Sequence, residues 1–323
     1  MDLVYTNADR EDVGVLHDYT FDLAFGSDEN DFELVISSQN HCCEAGCIIY
    51  IDGTEYGGII DKIGVVTKDE KLTYTGRTWH GMIAKKILEP DAGADYLTIS
   101  GEANVAIRTL IDRIGLSDLF TVSSDNSGLT VRSYQFHRYA DAYTGILKML
   151  ESVGGKLQFK FTGDSVVLSA VPAVDYTQDE EFDNDQVEME VNKTFNRTNH
   201  LICLGTGDLA ERQVVHLYMD ATGNISEVQS LFGTDEITEV YDYSSVESID
   251  ELKKGGIEKL QELSASDSAK MNFSTEKTVY DIGDTVGARE LITGIACAAK
   301  ITKKIVKISA GTINIEYKVG NEI

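Results

Sequence analysis

The 323-residue sequence is poor in proline, tryptophan and cysteine, with two, one and five of these residues. The cysteine number is odd and three of them cluster as Cys42, Cys43 and Cys47, which does not suit a disulfide framework. A reducing cytosol is therefore the expected place of synthesis. No apolar run approaches the roughly 20 residues of a membrane-spanning helix, and the N-terminus lacks a signal-peptide pattern. We expect no membrane partner.

Basic side chains are also scarce, with 28 Lys and Arg against 54 Asp and Glu and a formal net charge of -26. Proteins grip phosphate backbones through Lys and Arg, so a nucleic-acid-binding groove is not expected. A solubilising acidic surface is the simplest explanation of the charge. A channel lined with carboxylates, past which DNA slides without specific binding, is the alternative.

Motifs of catalysis are missing as well, since HExxH, GxSxG and phosphate-loop patterns do not occur. The cluster His41–Cys47 has no second pair of ligands elsewhere, so a packed loop is favoured over a zinc site. No histidine lies in a signature around a cysteine. A carboxylate pair such as Glu55 and Asp61 is expected by chance in so acidic a chain. The sequence predicts no catalytic residue, cofactor or metal, and hence no enzyme.

Two glycine-punctuated β regions dominate the pattern. In the last one, Ile313, Ile315, Tyr317 and Val319 alternate with polar residues, which is typical of a half-buried strand. A similar region extends from Ile48 to Trp79. We read the pair as two related barrels. Further strands are predicted at 2–6, 17–25, 32–37, 96–99, 187–192, 200–205 and 214–219, with a hairpin at 156–161 and 165–170.

Helices are predicted between these regions. Ile107, Leu110, Ile111 and Ile114 follow helical spacing, so a helix should run from about residue 102 to Gly115. A second helix is predicted over 139–153 and a third over 248–263, where Ser248 and Glu251 match a capping box. The acidic stretch 175–186 reads as a linker or exposed loop.

Together these patterns predict a multidomain α+β fold, in which two β-barrel-like domains flank an α/β middle domain. The expected domains are 1–90, 91–178 and 179–323, the last with a helical insertion at about 244–270. Trp79 is expected to be a core anchor rather than a ligand platform. Lys300, Lys303 and Lys304 are read as residues that guard a strand edge at a bulge, or as a contact for a partner or an anion.

Four stretches carry a resemblance to a known family. They are GTEYGGIIDKI (53–63), LTYTGRTWHGMIAKKILEP (72–90), YDIGDTVGARELITGI (280–295) and KITKKIVKISAGTINIEYKVG (300–320). They resemble the hub proteins of phage tails and baseplates, above all those of phages and prophages of Gram-positive hosts, and hub proteins of contractile injection systems. The likeness covers most of the chain as a layout, with sharp motifs only in the two β regions.

The resemblance implies a homotrimer that forms a pseudo-sixfold ring around the DNA channel of a virion tail, assembled in the bacterial cytoplasm. It implies two β-barrel tube domains per subunit. A tail tube or distal tail protein would dock on one side, and a spike, fibre or lysin on the other. Strand edges within 35–60 and 301–317 are expected to supply the contacts between copies. The expected interface residues are Asp52, Gly53, Glu55, Gly57, Gly58, Asp281, Gly283, Asp284, Gly287 and Arg289.

Many tail hubs continue into a C-terminal hydrolase or receptor-binding extension, whereas this sequence stops three residues after Gly320. We expect such an enzyme to lie on a separate chain or beyond this sequence. Two alternative functions stay open. One is a tail-associated peptidoglycan hydrolase or a peptidase of the injection machine, and the other is a carbohydrate-binding module that uses Trp79.

Overall fold

The computed structural model describes residues 2–177, 181–183, 189–192, 197–246, 248–264, 268–274, 278–309 and 311–320. The chain forms two compact units. The large unit contains Met1–Met189, Lys270–Arg289 and Ala298–Ile323, and the small unit contains Glu190–Ala269 and Glu290–Cys297. The three domain boundaries expected from the sequence stay a prediction. No helix of the described ranges is long and apolar enough to cross a membrane.

The N-terminal part of the large unit is a run of antiparallel strands closed by a short helix. These elements are β1 (Leu3–Thr6), β2 (Asp12–Leu16), β3 (Thr20–Gly26), β4 (Asp31–Ser37), β5 (Ile48–Ile51), β6 (Gly57–Val66), β7 (Lys71–Thr78) and α1 (Trp79–Ala84). In β4 the apolar residues Phe32, Leu34 and Ile36 are buried while the residues between them are more exposed. This alternation is the period-2 pattern of a sheet with one covered face.

The middle of the chain adds two helices and short sheets. Its elements are β8 (Ile87–Leu88), β9 (Thr98–Glu102), α2 (Ala103–Arg113), β10 (Phe120–Val122), β11 (Thr130–Gln135), β12 (Ala140–Asp141), α3 (Ala142–Glu151), β13 (Gly155–Thr162) and β14 (Ser165–Pro172). The hairpin of β13 and β14 was predicted, and β10 joins it in parallel. The helices bury one apolar face each, as their spacing predicts.

The second helix begins later than predicted. Tyr139 has a positive φ of 58° and is 57% exposed, so it is not part of the apolar stripe. Ala140 and Asp141 instead pair with β8. The Asp141 carboxylate then accepts a hydrogen bond of 2.9 Å from the Thr144 N–H, which caps the helix. The cap was the signal in the sequence for the true start.

Two short strands, β15 (Glu181–Asp183) and β16 (Met189–Asn192), follow. The acidic stretch 175–186 is thus not all linker, because Glu181–Asp183 pairs in parallel with 287–289. The parts 178–180 and 184–186 lie outside the described residues, as do 187 and 188 of the strand predicted at 187–192.

The small unit packs one helix on one face of a four-stranded sheet. Its elements are β17 (His200–Leu204), β18 (Val214–Met219), β19 (Ile225–Ser226), β20 (Thr238–Asp242) and α4 (Ile249–Ser264), and the sheet order is β19-β18-β17-β20. Its core joins strand residues with α4 and consists of Leu201, Cys203, Val215, Leu217, Val246, Leu252 and Leu260. Gly256 allows the close approach, because a Cβ there would lie 2.4 Å from Cys203 Sγ.

The last strands are β21 (Ser268–Ser274), β22 (Thr285–Arg289), β23 (Ala296–Ser309) and β24 (Thr312–Gly320). The predicted final hairpin is present as β23 and β24. In addition β23 pairs with β3, with Ser309 opposite Thr20 and Lys303 opposite Gly26. One sheet therefore contains both ends of the chain, in the order β21-β24-β23-β3-β4-β7-β6-β5-β1-β2.

This shared sheet qualifies the expected architecture. The α+β class is confirmed. The described strands do not close into a barrel, and the predicted tube domains are not confirmed. The prediction of free strand edges in 35–60 and 301–317 is wrong for β4 and β23. Each of these strands is paired on both sides, β4 with β3 and β7 and β23 with β24 and β3.

Trp79 is confirmed as a core anchor. Its side chain is fully buried and stacks on Phe161 of β13 at 5.5 Å between ring centroids. It belongs to one hydrophobic cluster that joins β5 and α1 with α2, α3, β13 and β14. A second cluster joins the N-terminal strands with Ile282, Val306 and Ile308. Each of these two cores of the described residues joins segments that are distant in the sequence.

Candidate functional site

Three of the residues predicted at the interface meet in the large unit around two lysines. Glu55 comes from the loop between β5 and β6, and Asp281 and Asp284 come from the turn before β22. Lys156 projects from β13 and Lys304 from β23. The five side chains form one ion network, hereafter the network. The sequence named its carboxylates, but it did not name Lys156.

The distances in the network are those of hydrogen-bonded ion pairs. Lys304 Nζ lies 2.6 Å from Glu55 Oε1 and 3.4 Å from Asp281 Oδ1. Lys156 Nζ lies 2.9 Å from Asp281 Oδ2 and 2.8 Å from Asp284 Oδ1. The lysine side chains are 1% and 5% exposed. Because buried charges are tolerated only when they are paired, each lysine depends on its carboxylates.

Further hydrogen bonds fix the carboxylates. Asp284 accepts 2.8 Å from the Val174 N–H and 2.9 Å from the Asp281 N–H. Asp281 also accepts 2.8 Å from the Gln158 side-chain amide. Such bonds satisfy the lone pairs that Lys156 leaves free. The network thus ties the turn before β22 to the hairpin of β13 and β14.

The network shifts the pKa values of its members in different directions. Burial lowers the pKa of Lys304, but the charges of Glu55 and Asp281 outweigh it and raise that pKa above 10.5. The pKa of Asp281 is lowered, because Lys304 and the hydrogen bonds of Lys156 and Gln158 outweigh its burial. Burial raises the pKa of Glu55 in spite of Lys304. Glu55 thus carries its charge at a greater cost than Asp281 does.

His80 of α1 lies beside the network and is neutral. Its ring stacks on Phe25 at 4.3 Å and lies 3.9 Å from the Phe159 ring, centroid to centroid. Burial, with the charge of Lys304, lowers its pKa well below 6.5. His80 Nε2 is 3.9 Å from Glu55 Oε2, too far for a hydrogen bond. This histidine fills a core position between aromatic rings.

The other predicted interface residues occupy varied positions. A Cβ on Gly57 would lie 2.5 Å from the Trp79 ring, and one on Gly58 would lie 2.1 Å from the Arg77 carbonyl oxygen. Close packing inside the chain thus accounts for both glycines. Gly53 and Gly283 are turn glycines with positive φ. The Asp52 carboxylate accepts a hydrogen bond of 3.5 Å from the Gly163 N–H. Gly287 and Arg289 lie in β22.

The reading of the lysines at 300–304 needs correction. A register shift between Ile301 and Lys303 confirms the bulge, but the lysines do not guard an edge, because β23 lies inside the sheet. Lys303 is 5% exposed and pairs with Glu29 at 2.7 Å, and Lys304 belongs to the network. Lys300 pairs with Glu151. Alternation alone could not show that Lys303 and Lys304 point inward.

The cysteine cluster is a packed loop before β5. Tyr74 Oη accepts 3.2 Å from the N–H groups of Cys42 and Cys43. The Cys47 Sγ accepts 3.3 Å from the Glu44 N–H. Burial first, then the neighbouring Cys42, raises the pKa of Cys43, so this thiol is protonated and unreactive. No group of three potential ligands fit for a metal occurs in the part of the chain that the structure describes.

Glu55 and Asp61 line different grooves. The Asp61 carboxylate accepts hydrogen bonds from Arg77 Nε at 2.8 Å and from Arg77 Nη2 at 2.7 Å. These bonds lower the pKa of Asp61. Glu55 and Asp281 line a groove of about 940 Å³ whose walls come from β13, β14 and β24. Lys304 pairs with Glu55 and Asp281, and Lys156 also pairs with Asp281. Glu55 and Asp281 therefore lack the free acid and base of a glycosidase pair.

The small unit has a polar cluster that the sequence did not predict. His200 Nδ1 lies 2.7 Å from Glu236 Oε1 and His200 Nε2 lies 2.8 Å from His216 Nδ1. Tyr218 stacks on His200 at 4.3 Å. The pairing of β17 with β18 sets His200 opposite Tyr218 and Ile202 opposite His216. The register, which no local pattern reveals, creates this cluster.

By sequence the chain matches no family model and no curated protein. Solved structures of three tail proteins share its fold. The tail protein of Neisseria meningitidis MC58 has a TM-score of 0.54 at 16% identity, and covers 99% of this chain and 96% of its own. Prophage tail protein gp18 from Listeria monocytogenes EGD-e has 0.58 at 11%, with 100% and 95% covered.

The 43 kDa tail protein of prophage MuSo2 from Shewanella oneidensis has a TM-score of 0.54 at 12% identity, with 99% of this chain and 98% of that one covered. At these identities the likeness establishes the fold alone. The chain has the fold of these phage-type tail proteins, in nearly full-length alignments.

Proposed function

We propose that this chain is a structural hub of a phage or prophage tail. The observation that carries the proposal is the whole-length fold likeness to three tail proteins, each covered at 95% or more. Two features of the chain support it. The carboxylates of the network pair with lysines of the same chain, which suits a structural role. The net charge of -26 suits the wall of a channel past which DNA slides.

In this proposal three copies form a pseudo-sixfold ring with two tube domains per subunit, and the ring joins the tail tube or a distal tail protein to a spike, fibre or lysin. The virion tail is the site of action and the host cytoplasm the place of assembly. Head-to-tail contacts are required by cyclic symmetry. Asp52, Gly53 and Arg289 are candidates for these contacts, since Gly57 and Gly58 are buried within one copy.

Mass photometry and negative-stain electron microscopy of the concentrated protein test the assembly. We expect particles of three times 35.5 kDa and threefold rings with a central hole. Single copies that neither self-assemble nor bind tail-tube rings would contradict the proposal. A clear zone in zymography on Gram-positive cell walls, lost when a single acidic side chain outside the network is neutralised, would replace it with a hydrolase function.

A further inference from the structure

The network contains more negative than positive charge. Its carboxylates are Glu55, Asp281 and Asp284 and its cations are Lys156 and Lys304, while His80 is neutral at pH 7 because its pKa is lowered by burial and by Lys304. With every carboxylate ionised, one negative charge remains uncompensated in a largely buried place. An excess of this kind is expensive away from water.

Two of the three carboxylates reach solvent at the groove. Asp284 is 1% exposed, whereas Glu55 and Asp281 are 19% and 25% exposed and line the groove of about 940 Å³. A cation that enters the groove would reach these two carboxylates and not Asp284. Lys160 also borders the groove, but it is exposed and forms no ion pair with the three carboxylates.

The rest of the groove suits a peptide. Its apolar lining includes Val167 on β14, Ile313 and Ile315 on β24, and Val279, which is 68% exposed. Polar residues such as Ser169 and Asn314 also line the groove. Apolar walls around a charged floor fit a basic side chain flanked by apolar residues, whose aliphatic stem also covers apolar surface.

We propose that this groove binds an extended segment of a partner protein, and that a lysine or arginine of the segment completes the ion network at Glu55 and Asp281. The partner is a separate protein that carries a basic residue within an apolar stretch, because the two carboxylates at the groove favour a cation. The inference goes beyond the proposed hub function and does not depend on it. Burial raises the pKa of Glu55, and a cation bound in the groove would lower that pKa again.

The test measures binding of labelled peptides to the full chain by fluorescence anisotropy. The probes are Thr-Val-Arg-Val-Thr and the same peptide with Lys, Gln or Glu at the centre. We expect the Arg and Lys peptides to bind at least tenfold tighter than the Gln peptide and the Glu peptide to bind weakest. Glu55→Gln should reduce this preference to about twofold. Asp61→Asn, which neutralises an acid in the other groove, is the matched control and should leave it unchanged.

Two variants at the exposed Val279 keep the test independent of the network's folding. Val279→Lys should weaken the Arg peptide severalfold by repulsion, and Val279→Glu should strengthen it. Equal binding of Arg and Gln peptides, absence of binding, or indifference to both Val279 variants would overturn the proposal. So would peptide-free self-association that Glu55→Gln abolishes, since the occupant would then be a second copy. Ring formation is scored separately, so failure here leaves the hub proposal standing.

Discussion

The two units of the chain handle charge in different ways. The large unit buries Lys156, Lys303 and Lys304, each at 5% exposure or less, and pairs them with carboxylates from distant segments. Most ion pairs of the small unit lie near its surface. Examples are Arg212 with Asp242, whose side chains are 24% and 59% exposed, and Lys253 with Glu227, at 35% and 58%.

This difference shows what each unit depends on. Buried pairs add little net stability when intact, but the loss of one partner leaves an uncompensated charge. The large unit is therefore sensitive to single charge deletions and to pH. The contact of α4 with β17 and β18 in the small unit rests on a compact apolar core, so this contact should respond to volume rather than to charge.

The largest effect is expected for Lys304→Met. Without this cation Glu55 and Asp281 lose their shared partner, and the free energy of unfolding of the large unit should fall by about 3 to 5 kcal/mol. Urea titration followed by the fluorescence of Trp79, the only tryptophan, reports on this unit. Lys307→Met is the control, since that lysine is 58% exposed and should cost less than about 1 kcal/mol. Equal losses for both variants would refute the network's role.

A pH dependence comes next, from His80. Its pKa in the folded chain lies well below 6.5, so below pH 6.5 the unfolded chain binds a proton that the folded chain does not. Stability of the large unit should therefore decrease as the pH falls below 6.5, with a slope of at most about 1.4 kcal/mol per pH unit.

His80→Phe should flatten this dependence between pH 7 and 5, again measured by urea titration with Trp79 fluorescence. The control His17→Gln removes an exposed histidine and should keep the slope. A slope that persists in His80→Phe would show that other groups carry it.

The small unit should respond to volume at Gly256. Alanine there gains helix propensity of about 1 kcal/mol, but its Cβ would lie 2.4 Å from Cys203 Sγ and 2.7 Å from Leu217 Cδ1. We expect a net loss of about 1 to 2 kcal/mol, because overpacking of a filled core outweighs the gain. Hydrogen exchange of the α4 amides measures it.

The neighbouring Gly255→Ala is the matched control. Its Cβ would lie 3.0 Å from the Tyr243 ring, which is half-buried and can shift, so exchange should slow or stay the same. If both variants speed exchange alike, the specific contact with Cys203 is not the cause.

The smallest effect is expected for Lys259→Ala on α4. Lys259 pairs with Glu262 at 3.0 Å, three residues on, and that glutamate is 68% exposed. Pairs of this kind are worth about 0.2 to 0.5 kcal/mol. The midpoint of the hydrogen-exchange profile of α4 should hardly move, and a loss above 1 kcal/mol would contradict the picture of an α4 surface that is indifferent to charge.

Local patterns were sufficient for much of the fold. The spacing of Ile107, Leu110 and Ile111 predicted α2, and the turn residues near Gly163 predicted the hairpin of β13 and β14, because both elements satisfy their hydrogen bonds within a few residues. The pairing of β3 with β23 could not be predicted in this way. The residues of neither strand indicate which distant strand it pairs with.

The candidate site shows the same division. Glu55, Asp281 and Asp284 were named because they lie in glycine-rich turns, but their shared contact with Lys156 and Lys304 depends on that distant pairing. The lysines at 303 and 304 read as surface residues, since charged side chains are rarely buried unless paired. The pairs that bury them join residues about 250 to 275 positions apart.

The pairing of β3 with β23 also determines how long one edge of β3 stays unpaired during synthesis on the ribosome. The partners are separated by about 280 residues of chain. At translation rates of about 5 to 20 residues per second, β3 waits roughly 15 to 60 s before β23 has been made. During this time its backbone edge is available to other nascent chains. Slowing translation near the 3′ end of the message should therefore lower the soluble yield more than slowing it near the 5′ end.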